Sequence, residues 1–343
     1  MADSARSEAS RTAAESGATP KTAVKTAAVV YNPIKVNLKT LKAAVKAAET
    51  KEGWNKTLWY ATSVEDPGGG VAATAIKDGA DVVVAAGGDG TVRAVAEALR
   101  GTGVALGLVP SGTGNLLARN LFMSLDNVQH AVETIFEGDD RAIDIGVVEA
   151  EREDGSRAKH AFLVMAGLGL DAQMIAGTNP ALKARVGWLA YAGAIIRALR
   201  HHDSVRIRYS VDGGAVRSAS INTVLVGNCG VLPANLVLLP EAIIDDGIFD
   251  IVAFRPNGFF GWIQIWNKIV WENGVLRRSS VGRRIIKVSP DVRALAYLKG
   301  SEFTLRLEHP EEFELDGDPF GEAIALKTSV DHLALIVRVP HEH

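Results

Sequence analysis

From residue 26 onward the chain alternates short apolar runs with stripes of helical spacing. Thr26 to Asn32 is apolar, partly β-branched and stopped by Pro33, which predicts a buried strand. Leu38, Leu41, Val45 and Ala48 then mark one face of a helix. Thr57 to Thr62 predicts a second strand, Val71 to Lys77 a helix closed by Gly79, and Asp81 to Ala86 a third strand of continuous Val and Ala. A helix carrying Val92, Val95, Ala96 and Leu99 runs to Gly101, and Val104 to Val109 predicts a fourth strand. Alternation of this kind predicts an α/β unit, a parallel sheet with helices on both faces and ligands beyond the carboxyl ends of its strands.

After Asp144 the texture changes. Ala161 to Ala166, Val205 to Val211, Asn222 to Val226, Asp250 to Phe254, Ile285 to Val288, Phe303 to Leu307 and Leu333 to Val339 are short β-rich runs between Gly, Asp and Pro turns. They predict a second, mainly β and sandwich-like domain. The expected division is therefore a disordered tail at 1–24, an α/β domain at 25–145 and a β-rich domain at 146–343. The tail is rich in Ala, Ser and Thr, carries both charge signs and has no apolar core, so it reads as neither a secretory signal nor a transit peptide. No internal repeat is visible.

A length of 343 residues fits about two domains of roughly 150 residues each. With 37 basic and 40 acidic side chains, the net charge of -3 provides no cationic field for nucleic acid. The single cysteine, Cys229, excludes an internal disulfide and a cysteine-cluster metal site, and reads as a small buried residue. No run of about 18 apolar residues predicts a membrane-spanning helix, so lipid contact is expected to be peripheral, and the lone cysteine fits the reducing cytoplasm expected as the location.

Two glycine loops carry the candidate chemistry. Gly87-Gly88-Asp89-Gly90-Thr91 lies between a buried strand and a helix, where unpaired N–H groups attract anions. Glycines let the backbone approach a phosphate closely. A carboxylate in such a loop repels phosphate unless a cation intervenes, so Asp89 points to a metal, Mg²⁺ first; the competing reading makes Asp89 a helix cap. The second loop, Pro110-Ser111-Gly112-Thr113-Gly114-Asn115, follows the next strand, so Thr113 and Asn115 are placed either to bond phosphate or ribose or to cap a helix.

In order along the chain, Asn32-Pro33, Thr62, Gly87 to Thr91, Pro110 to Asn115, Asp144, Gly167 to Ala172, Asp245-Asp246-Gly247 and Asp316-Gly317-Asp318 resemble the motifs of the diacylglycerol kinase catalytic-domain family, soluble lipid kinases related to sphingosine and ceramide kinases. The resemblance implies a phosphofructokinase- and NAD-kinase-like first domain, with the active site in the cleft between the domains. It implies ATP as co-substrate, held by Asn32, Thr62, Gly87, Gly88, Asp89, Gly90, Thr91, Gly112, Thr113 and Asn115. Asp89 and Asp144 join a water-bridged network around Mg²⁺, Asp246 marks a second, structural metal, and Asp316 is the general base for the lipid hydroxyl. From the residues alone, Asp245 to Gly247 reads equally as a turn, and Leu315 to Pro319 as an exposed one. Leu116 stands where many members carry an acid, Asp318 where the family usually has Glu, and no C-terminal segment returning to the first domain is expected.

The acceptor implied is a lipid, diacylglycerol by default, giving phosphatidic acid. Phe259, Phe260, Trp262 and Trp266, followed by Arg277, Arg278, Arg283 and Arg284, suit either a membrane interface or a helix packed on the β domain. Trp188 to Leu199 reads as core. Self-association as a homodimer is left open. The competing functions are an NAD-kinase-like or phosphofructokinase-like kinase and a non-catalytic nucleotide-binding protein. The Asp-Asp-Gly and Asp-Gly-Asp elements speak against the first, and retention of Asp89, Asp144 and Asp316 against the second.

Overall fold

A computed structural model describes residues 24–169, 204–233, 236–255, 264–265 and 295–341. Its first half follows the predicted alternation: β1 (Ala27–Tyr31), α1 (Leu38–Glu52), β2 (Leu58–Ala61), α2 (Gly69–Lys77), β3 (Val82–Gly87), α3 (Asp89–Leu99), β4 (Ala105–Pro110), α4 (Leu116–Asn120) and α5 (Val128–Glu137). The sheet order here is β4-β3-β1-β2, every pair parallel. Both faces of β1, β3 and β4 are covered, which is why these strands read as unbroken apolar runs, while β2 at the edge is only partly buried. Val29, Val82 and Val84 pack with Leu41, Val45, Ile135 and Phe136 of α1 and α5, whereas the alternate residues Ala28, Val30 and Val83 pack with Ala72, Ala75, Val95 and Leu99 of α2 and α3. Helix α1 begins at Asn37, whose side chain accepts the Thr40 N–H, and ends at Gly53 in the left-handed region, φ 67°.

The second half continues with β5 (Asp139–Glu151), β6 (Arg157–Phe162), β7 (Met165–Leu168), β8 (Val205–Val211), β9 (Arg217–Ile221), β10 (Thr223–Gly227), β11 (Val231–Leu232), β12 (Leu236–Val237), β13 (Phe249–Phe254), β14 (Leu295–Gly300), β15 (Glu302–Leu315) and β16 (Asp318–Val339). Apart from the β11–β12 ribbon, all described strands belong to one sheet that runs from β14 through β13, β10, β7, β15 and β16 into β4. The β-rich part closes around a second core in which Phe162, Phe249, Phe303 and Phe313 are fully enclosed. The architecture is thus a two-domain α/β fold, a parallel sheet followed by a β-sandwich domain.

Three expectations need correction. The boundary at 145/146 falls inside β5, which pairs with β16 from Asp139↔Val339 to Glu151↔Ala325. The C-terminal segment does return to the first domain: β16 is 22 residues long, and its end lies parallel to β4 at Val337↔Leu106. The run Ala161 to Ala166 is not one strand, because β6 ends at Phe162 and β7 starts at Met165. Asp171, Trp188 to Leu199, Ile285 to Val288 and the aromatic segment with its arginines, apart from Gln264 and the buried Ile265, lie outside the described residues. Among the described residues no helix is long and apolar enough to cross a membrane.

Candidate active site

The two glycine loops emerge from adjacent strand ends, with Gly87 in register with Pro110 and the Ser111 N–H donating to the Gly87 carbonyl at 2.9 Å. They touch backbone to backbone. A Cβ on Gly112 would lie 2.8 Å from Gly88 Cα, so the contact tolerates only glycine. Asp89 holds the second loop from the first: its two carboxylate oxygens accept the N–H groups of Asn115 (2.9 Å) and Leu116 (2.6 Å) at the start of α4. Asp89 therefore caps a neighbouring helix, and each oxygen retains a lone pair for a further partner. Burial raises its pKa above the ordinary carboxylate value, the N–H donors oppose this, and the Asp318 charge adds to the rise.

The other predicted nucleotide residues gather at the same edge. Asn32 and Thr62 follow the ends of β1 and β2, their N–H groups bonding Ala86 and Tyr31 carbonyls, and Thr62 is buried. The Asn32 side chain accepts from Ile34 and Lys35 N–H groups and so shapes its own turn. Thr91 is buried, while Thr113 is exposed at its loop tip. Asn115 adopts φ 49° and closes its loop by bonding the Gly112 N–H and carbonyl. Leu116, in the position where an acid was expected, is core.

Asp316 comes to this edge from far along the chain. At φ 51° it turns its carboxylate into the gap between β6 and β7, where it accepts N–H groups from Leu163 (2.9 Å), Val164 (2.8 Å) and Met165 (3.1 Å). Those bonds explain the break in the expected strand, since the donors serve a carboxylate instead of a neighbouring strand. Burial nevertheless dominates and lifts Asp316 to about 6, with the three donors and the Arg93 charge pulling the other way. Asp318, next but one, lies against the glycine loop: a Cβ on Gly90 would stand 2.6 Å from its Oδ2. The reading of this turn as exposed holds for Gly317 and Pro319 but not for Asp316, which is buried, and Asp318 is half-buried.

Asp144 is fully buried in β5. Its Oδ2 accepts the Gly247 N–H at 2.7 Å, and its Oδ1 the Leu333 N–H at 2.8 Å beside His332 Nδ1 at 2.8 Å. It organises the joint between β5, the Asp-Asp-Gly turn and the bulge in β16 between Asp331 and Leu335. A water-bridged role would require that joint to open. Asp245 pairs with Arg141 at 2.7 Å, and exposed Asp246 accepts the Ile248 N–H at 3.1 Å. Among the described residues no group of three or more His, Cys, Asp or Glu side chains converges as a metal cage.

Sequence reasoning missed Arg93. Its guanidinium stacks over Phe320 at 4.5 Å, lies 4.0 Å from Asp318 Oδ2, and links α3 to the Asp316 turn. The available signal was that Arg93 is the sole cation of α3, two residues beyond the glycine loop.

A family model described as Diacylglycerol kinase catalytic domain matches residues 26–148, and one described as YegS C-terminal NAD kinase beta sandwich-like domain matches residues 164–271. The chain is 28% identical over 189 residues to a diacylglycerol kinase of Mycobacterium tuberculosis, a match covering 54% of this chain and 58% of that one, little over half its length. It is 29% identical over 253 residues to a Stenotrophomonas maltophilia protein named "Probable lipid kinase YegS-like", covering 72% of this chain and 75% of that one. A diacylglycerol kinase structure from Bacillus anthracis superposes with a TM-score of 0.63 at 16% identity, over 92% of this chain and 96% of that one, a likeness of fold. Loops, fold and both matched domains agree: the chain belongs to the diacylglycerol kinase catalytic-domain family of lipid kinases.

Proposed function

We propose that the chain transfers the γ-phosphoryl group of Mg-ATP to a lipid hydroxyl, diacylglycerol being the first acceptor to test. One observation carries the proposal: a carboxylate held by three backbone donors, Asp316, sits in the turn whose next acid, Asp318, touches Gly90 of the glycine loop. Phosphoryl transfer needs positioned phosphates, charge compensation and one acceptor for the proton of the attacking hydroxyl. In this reading Asn32, Thr62 and the loops Gly87 to Thr91 and Gly112 to Asn115 frame the nucleotide. Asp316 takes the hydroxyl proton as the lipid oxygen bonds to phosphorus and the bond to the ADP oxygen breaks. Its fixed orientation favours a direct path for that proton, and a pKa near 6 lets it be both ionised and basic at neutral pH.

The donor set fits Mg²⁺, which is usually held by one or two carboxylates together with substrate phosphates. Asp89, with its remaining lone pairs, and the nearby Asp318 would hold it, and the ion when bound offsets phosphate charge. Asp246, exposed on its turn, remains the residue to test for a second metal. The deciding experiment incubates the protein with labelled ATP, Mg²⁺ and mixed micelles of diacylglycerol, with sphingosine, ceramide, polyprenol and NAD in parallel. Labelled phosphatidic acid is expected; label on NAD alone, or on none of them, would overturn the proposal.

A further inference from the structure

The backbone that holds Asp316 is itself held from behind. Strand β10 pairs with β7 up to Gly227↔Met165, so Asn228, the next residue, falls opposite Val164 in the segment that grips the carboxylate. Asn228 is fully buried. Its Nδ2 donates to the carbonyls of Asp144 at 3.0 Å and Leu163 at 3.1 Å, while its own N–H and that of Cys229 donate to the Val164 carbonyl at 2.9 and 3.1 Å. The same peptide units carry the donors to the base. The Leu163 carbonyl shares its peptide with the Val164 N–H, the Val164 carbonyl shares its own with the Met165 N–H, and both N–H groups donate to Asp316 Oδ1. A donor on a carbonyl polarises its peptide and strengthens the N–H at the other end, so Asn228 backs both bonds. Both lone pairs of Oδ1 are thereby filled, whereas Oδ2, which among the described residues accepts the Leu163 N–H alone, keeps one for a hydroxyl proton. Asn228 Oδ1 has no hydrogen-bond partner among the described residues. A buried amide left half satisfied is a poor way to fill a core, and it calls for a role beyond packing.

We infer that Asn228 is a positioning residue for the reaction, fixing the Leu163 to Met165 backbone so that Asp316 presents Oδ2 to the acceptor hydroxyl. The inference rests on the reading of Asp316 as the base. Its test is a double-mutant cycle on the full chain: kcat and KM for Mg-ATP, with diacylglycerol micelles, in wild type, Asn228→Ala, Asp316→Asn and the pair. All four are assayed below their melting temperatures. A misaligned base should lower kcat of Asn228→Ala roughly 10- to 100-fold, with KM for Mg-ATP within about threefold of wild type. In the Asp316→Asn background the same change should lower kcat less than about threefold, because its effect runs through Asp316. A purely structural role would lower turnover equally in both backgrounds, and that additivity would overturn the inference, as would an unaltered kcat in Asn228→Ala. Should Asn228→Ala not fold, Asn228→Ser, whose hydroxyl is too short to reach both carbonyls, carries the same cycle with the same expected outcomes. Absence of turnover in the wild type, or full turnover in Asp316→Asn, would instead remove the reading beneath, and the inference with it.

Discussion

A single carboxylate, Asp316, illustrates how burial and hydrogen bonding compete at one residue. Three N–H donors and a nearby arginine favour its ionised form, yet removal from water prevails and pushes its pKa up to about 6. The base is the ionised form, so kcat should fall as pH drops through about 6 and level off above it. The same raised pKa has the opposite effect on folding. Its contribution to stability is fully present below the unfolded carboxylate value and lost as pH rises through about 6. Asp316→Asn should cut turnover roughly 10²- to 10⁴-fold while Mg-ATP still binds; full activity in that variant would exclude Asp316 as the base. The loop glycines can be ranked by what a methyl group would meet. On Gly112 it meets the Gly88 backbone at 2.8 Å, on Gly90 only the movable end of Asp318. Gly112→Ala should therefore cost about 1–3 kcal/mol in urea unfolding and Gly90→Ala less, and the reverse order would contradict the packing described.

Among the elements, β16 carries most of the joining: it pairs with β15, β5 and β4 in turn. Leu335 is 1% exposed between these partners, so Leu335→Ala should cost about 2–5 kcal/mol by denaturant titration. The first four strands and three helices were legible because the covered strands β1, β3 and β4 read as apolar runs, the edge strand β2 as a short aromatic run, and their helices as stripes. The long strands were not. β5 and β16 interleave Glu149, Glu151, Lys327 and Arg338 with their apolar residues, and β15 contains His309 and Pro310, so only their most apolar stretches stood out. The break between β6 and β7 could not be read, because its cause is backbone N–H groups bonded to an acid about 150 residues away. Asp316 itself looked like any turn residue and was picked out by family resemblance alone. The glycine loops were legible in their own right, as phosphate geometry, though Asp89 as a cap for α4 required the neighbouring loop in three dimensions.

At the scale of the whole molecule, a cut at 145/146 would not separate two independent units. It would divide β5 and strip β4 of its outer partner. A fragment of residues 25–145 should therefore lack a cooperative thermal transition, and a sharp one in that fragment would show that the parallel sheet is self-sufficient. The order of synthesis gives the same connectivity a temporal meaning. The edge of β4 is made early, but the strand that covers it follows far along the chain, Leu106 pairing with Val337, and β5, although β6 pairs with it at once, finds its β16 partners only between Ala325 and Val339. Such distant pairings close slowly, and an open strand edge is a template for pairing with other chains. Until β16 has been made, the nascent protein thus carries an uncovered β edge. Its yield in cells should depend on how well chaperones shield that edge until β16 arrives.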